Sequence, residues 1–209
     1  MNQIAVRTRT SEATRAVAET LASHLRAGDL LVMDGPLGAG KTTFTQGLGA
    51  GLGVRGPVAS PTFVIARVHP NLGDGLPLVH VDAYRLGEGG EIDDLDLEAD
   101  LDAAVTVTEW GRGRVEHLSD SHLLIQLERP EEPLEGDDPE EPRTLRLIPA
   151  GPRWDAPACA ALAAAMQDLA ARGAVESVEV EEPAADGQSM AADDQTGQEK
   201  AGQNGQETE

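Results

Sequence analysis

Lys41 and Thr42 stand near the end of the run GPLGAGKTTF, residues 35–44, in which Gly35, Gly40, Lys41 and Thr42 meet the spacing Gly-x-x-x-x-Gly-Lys-Ser/Thr. Each residue type in that pattern has a task at a phosphate. The glycines let the backbone curl so that successive N–H groups point inward, a following helix adds the positive end of its dipole, and the lysine neutralises the outer phosphates. The threonine hydroxyl is a ligand for a magnesium ion bridging those phosphates. In a chain of this composition and length the pattern arises by chance with a probability of about two in a thousand. The context also fits, because the apolar run LLVMD precedes the loop and a helical stretch follows it. The chain contains two lysines, Lys41 and Lys200, against fourteen arginines. The single lysine outside the acidic C-terminal stretch thus sits where a compact point charge suits phosphate oxygens better than a planar fork. Neither lysine lies in an Asn-Lys-x-Asp sequence of the kind that reads guanine. ATP with Mg2+ is the expected ligand pair.

A phosphate-binding loop needs a carboxylate from a neighbouring strand end to complete the metal shell or orient a water molecule. Asp82, which ends LVHVD, and Glu109, which ends AVTVTE, are the two candidates. Thr62, in SPTF between the helix after the loop and the next strand, is placed to sense metal and outer phosphate as switch loops do. His80 and Tyr84 read as packing or hydrogen-bonding neighbours, and Trp110 as a core anchor or a partner-facing residue. Arg85, Arg112 and Arg114 read as surface arginines within reach of a phosphate.

The elements that must position these residues alternate between helix and strand, which is an α/β pattern. A first amphipathic helix starts at a Ser11 cap and places Val17, Leu21 and Leu25 on one side, with Gly28 at its stop. Leu30 to Asp34 is a buried strand, and residues 41–52 form the second helix. FVIARVH and LPLVHVD flank the turn PNLGDG as a hairpin. The acidic stretch 84–102 suits one or two short surface helices. AAVTVTEW, HLLIQLER and RTLRLIPA are further strands, and DAPACAALAAAMQDLAARG is a last helix with Asp155 as cap. Two segments fall outside this pattern: a Pro-rich acidic insertion at 130–142, and a stretch from Ala174 onward with ten acidic residues to one lysine. The second has too little apolar surface to offset its ordering entropy, so the expected division is a folded domain at 1–172 and a disordered acidic tail at 173–209.

The formal net charge of −21 argues against tight, direct binding to nucleic acid, which depends on clustered Lys and Arg. The lone Cys159 excludes an internal disulfide and a cysteine-based zinc site. The absence of a signal-peptide core and of any membrane-length apolar run makes a cytoplasmic location the expectation.

Taken in order, GPLGAGKTTF, SPTF, HVDAYRL and TEW resemble the TsaE family, the small ATPase subunit of the bacterial machinery that forms threonylcarbamoyladenosine beside the anticodon of certain tRNAs. The resemblance spans about residues 8–150. It implies a P-loop NTPase-like three-layer α/β domain with a mixed central sheet. It further implies Mg2+-dependent ATP hydrolysis, low in isolation and stimulated by the two other protein subunits of the transferase complex, with tRNA met indirectly through them. Carried over by position, the nucleotide lies against Gly38, Ala39, Gly40, Lys41, Thr42 and Thr43, with magnesium held by Thr42 and Glu109. Asp82 serves the metal or the water, and Thr62 is the sensing residue. A small-molecule kinase is the competing expectation, weakened because Arg112 and Arg114 leave little room for an arginine-bearing lid.

Overall fold

The computed structural model describes residues 2–61, 64–85, 102–130 and 142–182. The element order is β1 (Gln3–Thr8), α1 (Ser11–Ala22), β2 (Leu30–Asp34), α2 (Lys41–Leu52), β3 (Ala66–His69), β4 (Leu78–Asp82), β5 (Val105–Glu109), β6 (His122–Glu128), β7 (Arg143–Ala150), α3 (Ala156–Ala171) and β8 (Ser177–Glu181). The eight strands form one sheet in the order β3-β4-β5-β2-β6-β7-β1-β8. β4, β5, β2 and β6 run parallel, and the remaining pairings are antiparallel. The sheet is mixed, as expected.

Strand alternation sorts the sheet into two faces. Leu31 and Met33 of β2, Val105 and Val107 of β5, and Leu123, Ile125 and Leu127 of β6 share one core with residues of all three helices, among them Val17, Leu21, Phe44, Leu48, Leu162 and Met166. A fully buried side chain of this size contributes about 2 kcal/mol through lost water contact. Leu30, Val32, Val79 and Val81 point the other way and meet Ala83, Ala104, Val115 and Leu118. The expected three-layer arrangement is therefore not met among the described residues. All three helices pack on one face, and irregular chain with short 3-10 turns covers the middle of the other. The surface helices expected within 84–102 lie largely outside the described residues, as does the insertion from 131 to 141.

Helix boundaries follow local chemistry. The α1 cap is Thr10 rather than the expected Ser11, since its hydroxyl accepts from the Ala13 N–H at 3.1 Å. α1 ends at Ala22, short of Gly28. Asp29, just before β2, takes a bidentate grip from Arg153 at 2.8 and 2.9 Å, and the same guanidinium donates to the His24 carbonyl at 2.8 Å. Asp155 caps α3 through the Ala158 N–H, as the sequence predicts.

Two strands exceed the sequence expectation, and one corrects it. β1 is one that the sequence pattern does not announce. β8, at 177–181, lies inside the stretch expected to be a disordered tail, so the division at 172/173 is too early and ordered chain continues through Glu181. The charge count misleads because the carboxylates have partners. Glu181 takes hydrogen bonds from Gln3 at 2.7 Å and Arg146 at 2.5 Å, and Glu176 pairs with Arg9 at 3.0 Å. Pairs as open to solvent as these contribute little each. The β1 ladder and the burial of Val175 hold the strand, and the pairs remove its charge penalty. Residues 183–209 lie outside the described chain.

Candidate functional site

Parallel strands of an α/β sheet open their carboxyl ends onto a crevice, and here β2, β4 and β5 end side by side. The glycine-rich loop leaves β2 and feeds α2, while Asp82 and Glu109 stand opposite one another at the ends of β4 and β5. Their side chains share the helix-bearing face with Leu78, Val105 and Val107, so both carboxylates point under the loop. A cleft of about 550 Å³ results, lined by Gly38, Gly40, Lys41, Thr42, Thr43, Asp82 and Glu109 together with Leu37, Ser60, Tyr84 and Trp110.

The loop keeps its path through its glycines. Gly35 has φ +145°, and a Cβ there would run into the Leu127 carbonyl. Gly38 and Gly40 also have positive φ, and Gly40 opens α2 in the left-handed region. Ala39 is fully buried and anchors the loop in the core. α2 therefore begins at Lys41 with its first N–H groups directed at the cleft.

Lys41 is 5% exposed. Its ammonium donates to the Gly35 carbonyl at 2.7 Å and to the Pro36 carbonyl at 3.0 Å, and lies 3.5 Å from the centre of the Trp110 ring. Burial pushes it below the ordinary lysine range, against the opposing pull of the Glu109, Asp34 and Asp82 carboxylates. No carboxylate stands in salt-bridge contact with it among the described residues. A desolvated cation satisfied only by carbonyls and an aromatic face suits an incoming anion.

Across the cleft, the Thr42 hydroxyl donates to Glu109 at 3.1 Å from Oε1 and 3.4 Å from Oε2. Glu109 is 3% exposed, and His80 Nε2 lies 2.9 Å from the same Oε1. Asp82, 5% exposed, accepts from the Ser60 hydroxyl at 3.3 Å and the Tyr84 N–H at 3.0 Å. A hydroxyl and two carboxylates lining one cleft form an all-oxygen donor set of the kind a hard divalent cation takes. The donor chemistry therefore fits Mg2+.

Of the expected site residues, Gly38, Ala39, Gly40, Lys41, Thr42, Thr43, Asp82 and Glu109 come together in this way. Thr62 lies outside the described residues. Trp110 turns out to be part of the cleft. Its left-handed backbone, φ +61°, costs about 1 kcal/mol or more for a non-glycine residue, and its N–H is tied to the Met33 carbonyl at 3.0 Å. The ring also meets Tyr84 at 5.2 Å. Arg112 pairs with Asp34 at 2.9 Å and Arg114 donates to the Ala83 carbonyl at 2.9 Å, so both brace the strand ends. Arg129 and Arg143 also lie against the loop: a Cβ on Gly38 would touch the first, and one on Gly40 the second. Nothing local marks either in the sequence, because the β6–β7 pairing brings them in.

The family model of the threonylcarbamoyl adenosine biosynthesis protein TsaE matches residues 8–135. Among curated relatives, the tRNA threonylcarbamoyladenosine biosynthesis protein TsaE of Streptomyces coelicolor is 55% identical over 141 residues, covering 67% of this chain and 93% of that one. The protein of the same name from Bacillus subtilis is 40% identical over 143 residues, covering 68% and 84%. Its counterpart in Mycobacterium tuberculosis is 47% identical over 125 residues, covering 56% and 74%. Among solved structures, the crystal structure of Bacillus subtilis YdiB superposes with a TM-score of 0.58 at 33% identity, covering 78% of this chain and 95% of that one.

Proposed function

The chain belongs to the TsaE family, and on that premise we propose that it is the Mg2+-dependent ATP-hydrolysing subunit serving formation of the threonylcarbamoyl group on adenosine 37 of tRNAs. The family places the chain in tRNA threonylcarbamoyladenosine biosynthesis. The single observation that carries the finer reading is the buried Lys41 ammonium, lodged among loop carbonyls opposite the Thr42–Glu109–Asp82 oxygen set.

On this reading the loop amides and the α2 N-terminus cradle the β-phosphate, and Lys41 leaves its carbonyls to bridge the outer phosphates. Thr42 and Glu109 would hold Mg2+, which when bound would supply neutralisation of the charge on the outer phosphates. Asp82 and Glu109 orient the attacking water. Its oxygen bonds to the γ-phosphorus as the bridging P–O bond breaks, releasing ADP and phosphate, and its proton passes to a carboxylate or to solvent. Thr62 is the proposed γ-phosphate sensor. Buried surroundings make each of these charges count for more than it would in water. The kinase alternative gains no support, because Arg112 and Arg114 are held by Asp34 and the Ala83 carbonyl rather than free to form a lid.

The partners proposed are the two other protein subunits of the transferase complex, with tRNA reached through them and the site of action in the cytoplasm. No helix among the described residues is long and apolar enough to cross a membrane. Phosphate release from ATP, measured with and without the partner subunits and with and without Mg2+, tests the proposal. Stimulation by the partners that requires Mg2+ is the expected result. Phosphoryl transfer to an added metabolite, or no turnover under any condition, would overturn it.

A further inference from the structure

Behind Glu109 lies a histidine to which nothing so far assigns a task. His80 is fully buried in the middle of β4. Its Nε2 lies 2.9 Å from Glu109 Oε1, and its Nδ1 has no hydrogen-bond partner among the described residues. A carboxylate only accepts, so the Nε2 nitrogen carries the proton and donates it. The bare Nδ1 then costs less as an acceptor than it would as a stranded donor. The ring is confined on its outer side by His69, whose ring centre lies 6.3 Å away.

The register explains the contact. β4 and β5 run parallel with His80 beside Val107 and Asp82 beside Glu109, so His80 reaches diagonally to the carboxylate two residues further along β5. Oε1 receives two donors, from His80 and from Thr42 at 3.1 Å, whereas Oε2 receives only the longer Thr42 contact at 3.4 Å. This asymmetry ties down Oε1 and leaves Oε2, on a residue that lines the cleft, as the oxygen with the more spare lone pairs. Without the Nε2–H donor, Oε1 would keep only the Thr42 hydroxyl, whose one hydrogen both oxygens share, and the carboxylate would lose the contact that sets its plane.

We propose that His80 is the positioning residue of the site: its Nε2–H holds Glu109 Oε1 so that Oε2 faces the metal and the attacking water. The proposal rests on the hydrolytic reading above and adds to it a residue that touches neither nucleotide nor metal. It follows the general pattern in which an outer hydrogen bond orients an ionic ligand and its loss costs about 10- to 100-fold in metal affinity or rate.

Three variants, compared with the wild type, and two sets of measurements test it. In the nucleotide-free protein, long-range 1H–15N NMR of the His80 side chain is expected to find the proton on Nε2; a proton on Nδ1 would overturn the assignment. Second, Mn2+ affinity is measured by electron paramagnetic resonance on the protein loaded with a non-hydrolysable ATP analogue. His80→Phe, which fills the site without a donor, is expected to weaken Mn2+ binding about tenfold or more and to lower kcat for ATP. Metal-free analogue affinity and KM should stay within about twofold. His80→Gln, which restores an N–H, is expected to recover part of both losses, and His69→Leu, which leaves the hydrogen bond in place, to change neither. Wild-type Mn2+ affinity and turnover in His80→Phe would refute the proposal, as would a uniform loss in Phe and Gln variants alike. If the Phe variant fails to fold, NMR and the Gln variant still decide. Absence of turnover in the wild type with its partners would fail the hydrolytic reading, whereas normal wild-type turnover with an indifferent His80→Phe fails only the role of His80.

Discussion

Replacing Lys41 by Met keeps the unbranched stem and a soft sulfur against Trp110 while deleting the charge, so it isolates the ammonium's share of nucleotide binding. In the free protein Nζ already holds the Gly35 and Pro36 carbonyls and the Trp110 face. Those contacts must be given up. Two charged hydrogen bonds at about 1.5 kcal/mol each and a cation–π contact of about 1 kcal/mol amount to about 4 kcal/mol. Against this, a unit charge about 4 Å from each of two phosphate groups gains about 4 kcal/mol per group at an effective dielectric constant near 20. Little further desolvation is due on the lysine, which is 5% exposed before any ligand arrives. The difference, about 4 kcal/mol, corresponds to about a thousandfold in Kd. Calorimetric titration with a non-hydrolysable ATP analogue and Mg2+ measures it directly, and thermal unfolding of the same sample checks the fold. The reasoning fails if Lys41→Met binds within about fivefold of the wild type at an unchanged Tm.

Glu109→Gln preserves an acceptor for His80 and Thr42 but removes the charge, so hydrolysis should fall about 100-fold or more while metal-free nucleotide affinity holds; an unchanged rate of phosphate release would remove Glu109 from the site. Gly47→Ala puts a methyl group 2.5 Å from the Arg15 carbonyl oxygen and 2.7 Å from its Cα, where α2 crosses α1. Neither backbone can yield cheaply, so a loss of about 2–3 kcal/mol and a Tm lower by about 5–10 °C are expected from calorimetry. His69 is 3% exposed, and burial holds its imidazole below the usual histidine range. Its depressed native pKa means that the unfolded chain takes up the proton first. Stability is therefore undiminished above about pH 6.5 and falls as pH drops below it, by up to about 1.4 kcal/mol per pH unit. Urea unfolding of His69→Leu between pH 7 and 5 should show a shallower decline than the wild type, and parallel curves would refute the assignment.

What could be foretold of the cleft was its local part. The loop is legible because all its requirements, the turns, the lysine and the hydroxyl, lie within ten consecutive residues, and Asp82 and Glu109 are legible because an acid closing an apolar strand is conspicuous. His80, Trp110, Arg129 and Arg143 are not, since each acquires its role through strand pairing or loop return across many residues. His80 and Glu109 are 29 positions apart and meet only because β4 and β5 are in one particular register. The edge of the sheet is hard to read from sequence for a related reason. Val178 and Val180 alternate as a strand should, but their neighbours are acids, and the arginines and glutamine that compensate them come from distant segments at 3, 9 and 146. Net charge of a segment is a property of its sequence; whether that charge is tolerated depends on partners that only the fold supplies.

The same logic applies to the cleft itself, where polar groups suited to a ligand are provisionally satisfied by one another. Lys41 is held by the loop's carbonyls, and Thr42 by the carboxylate beside it. On the proposed reading, binding is then an exchange: Lys41 trades two carbonyls for phosphate oxygens, and Thr42 turns its hydroxyl from Glu109 to the cation they share. An exchange of this kind avoids leaving a bare buried charge in the free protein, which would cost several kcal/mol. It also subtracts from the affinity the same contacts it breaks. The free cleft should accordingly bind triphosphate less tightly than a count of its donors suggests. The shortfall should shrink in any variant that weakens the hold of Gly35 and Pro36 on the ammonium without moving the loop.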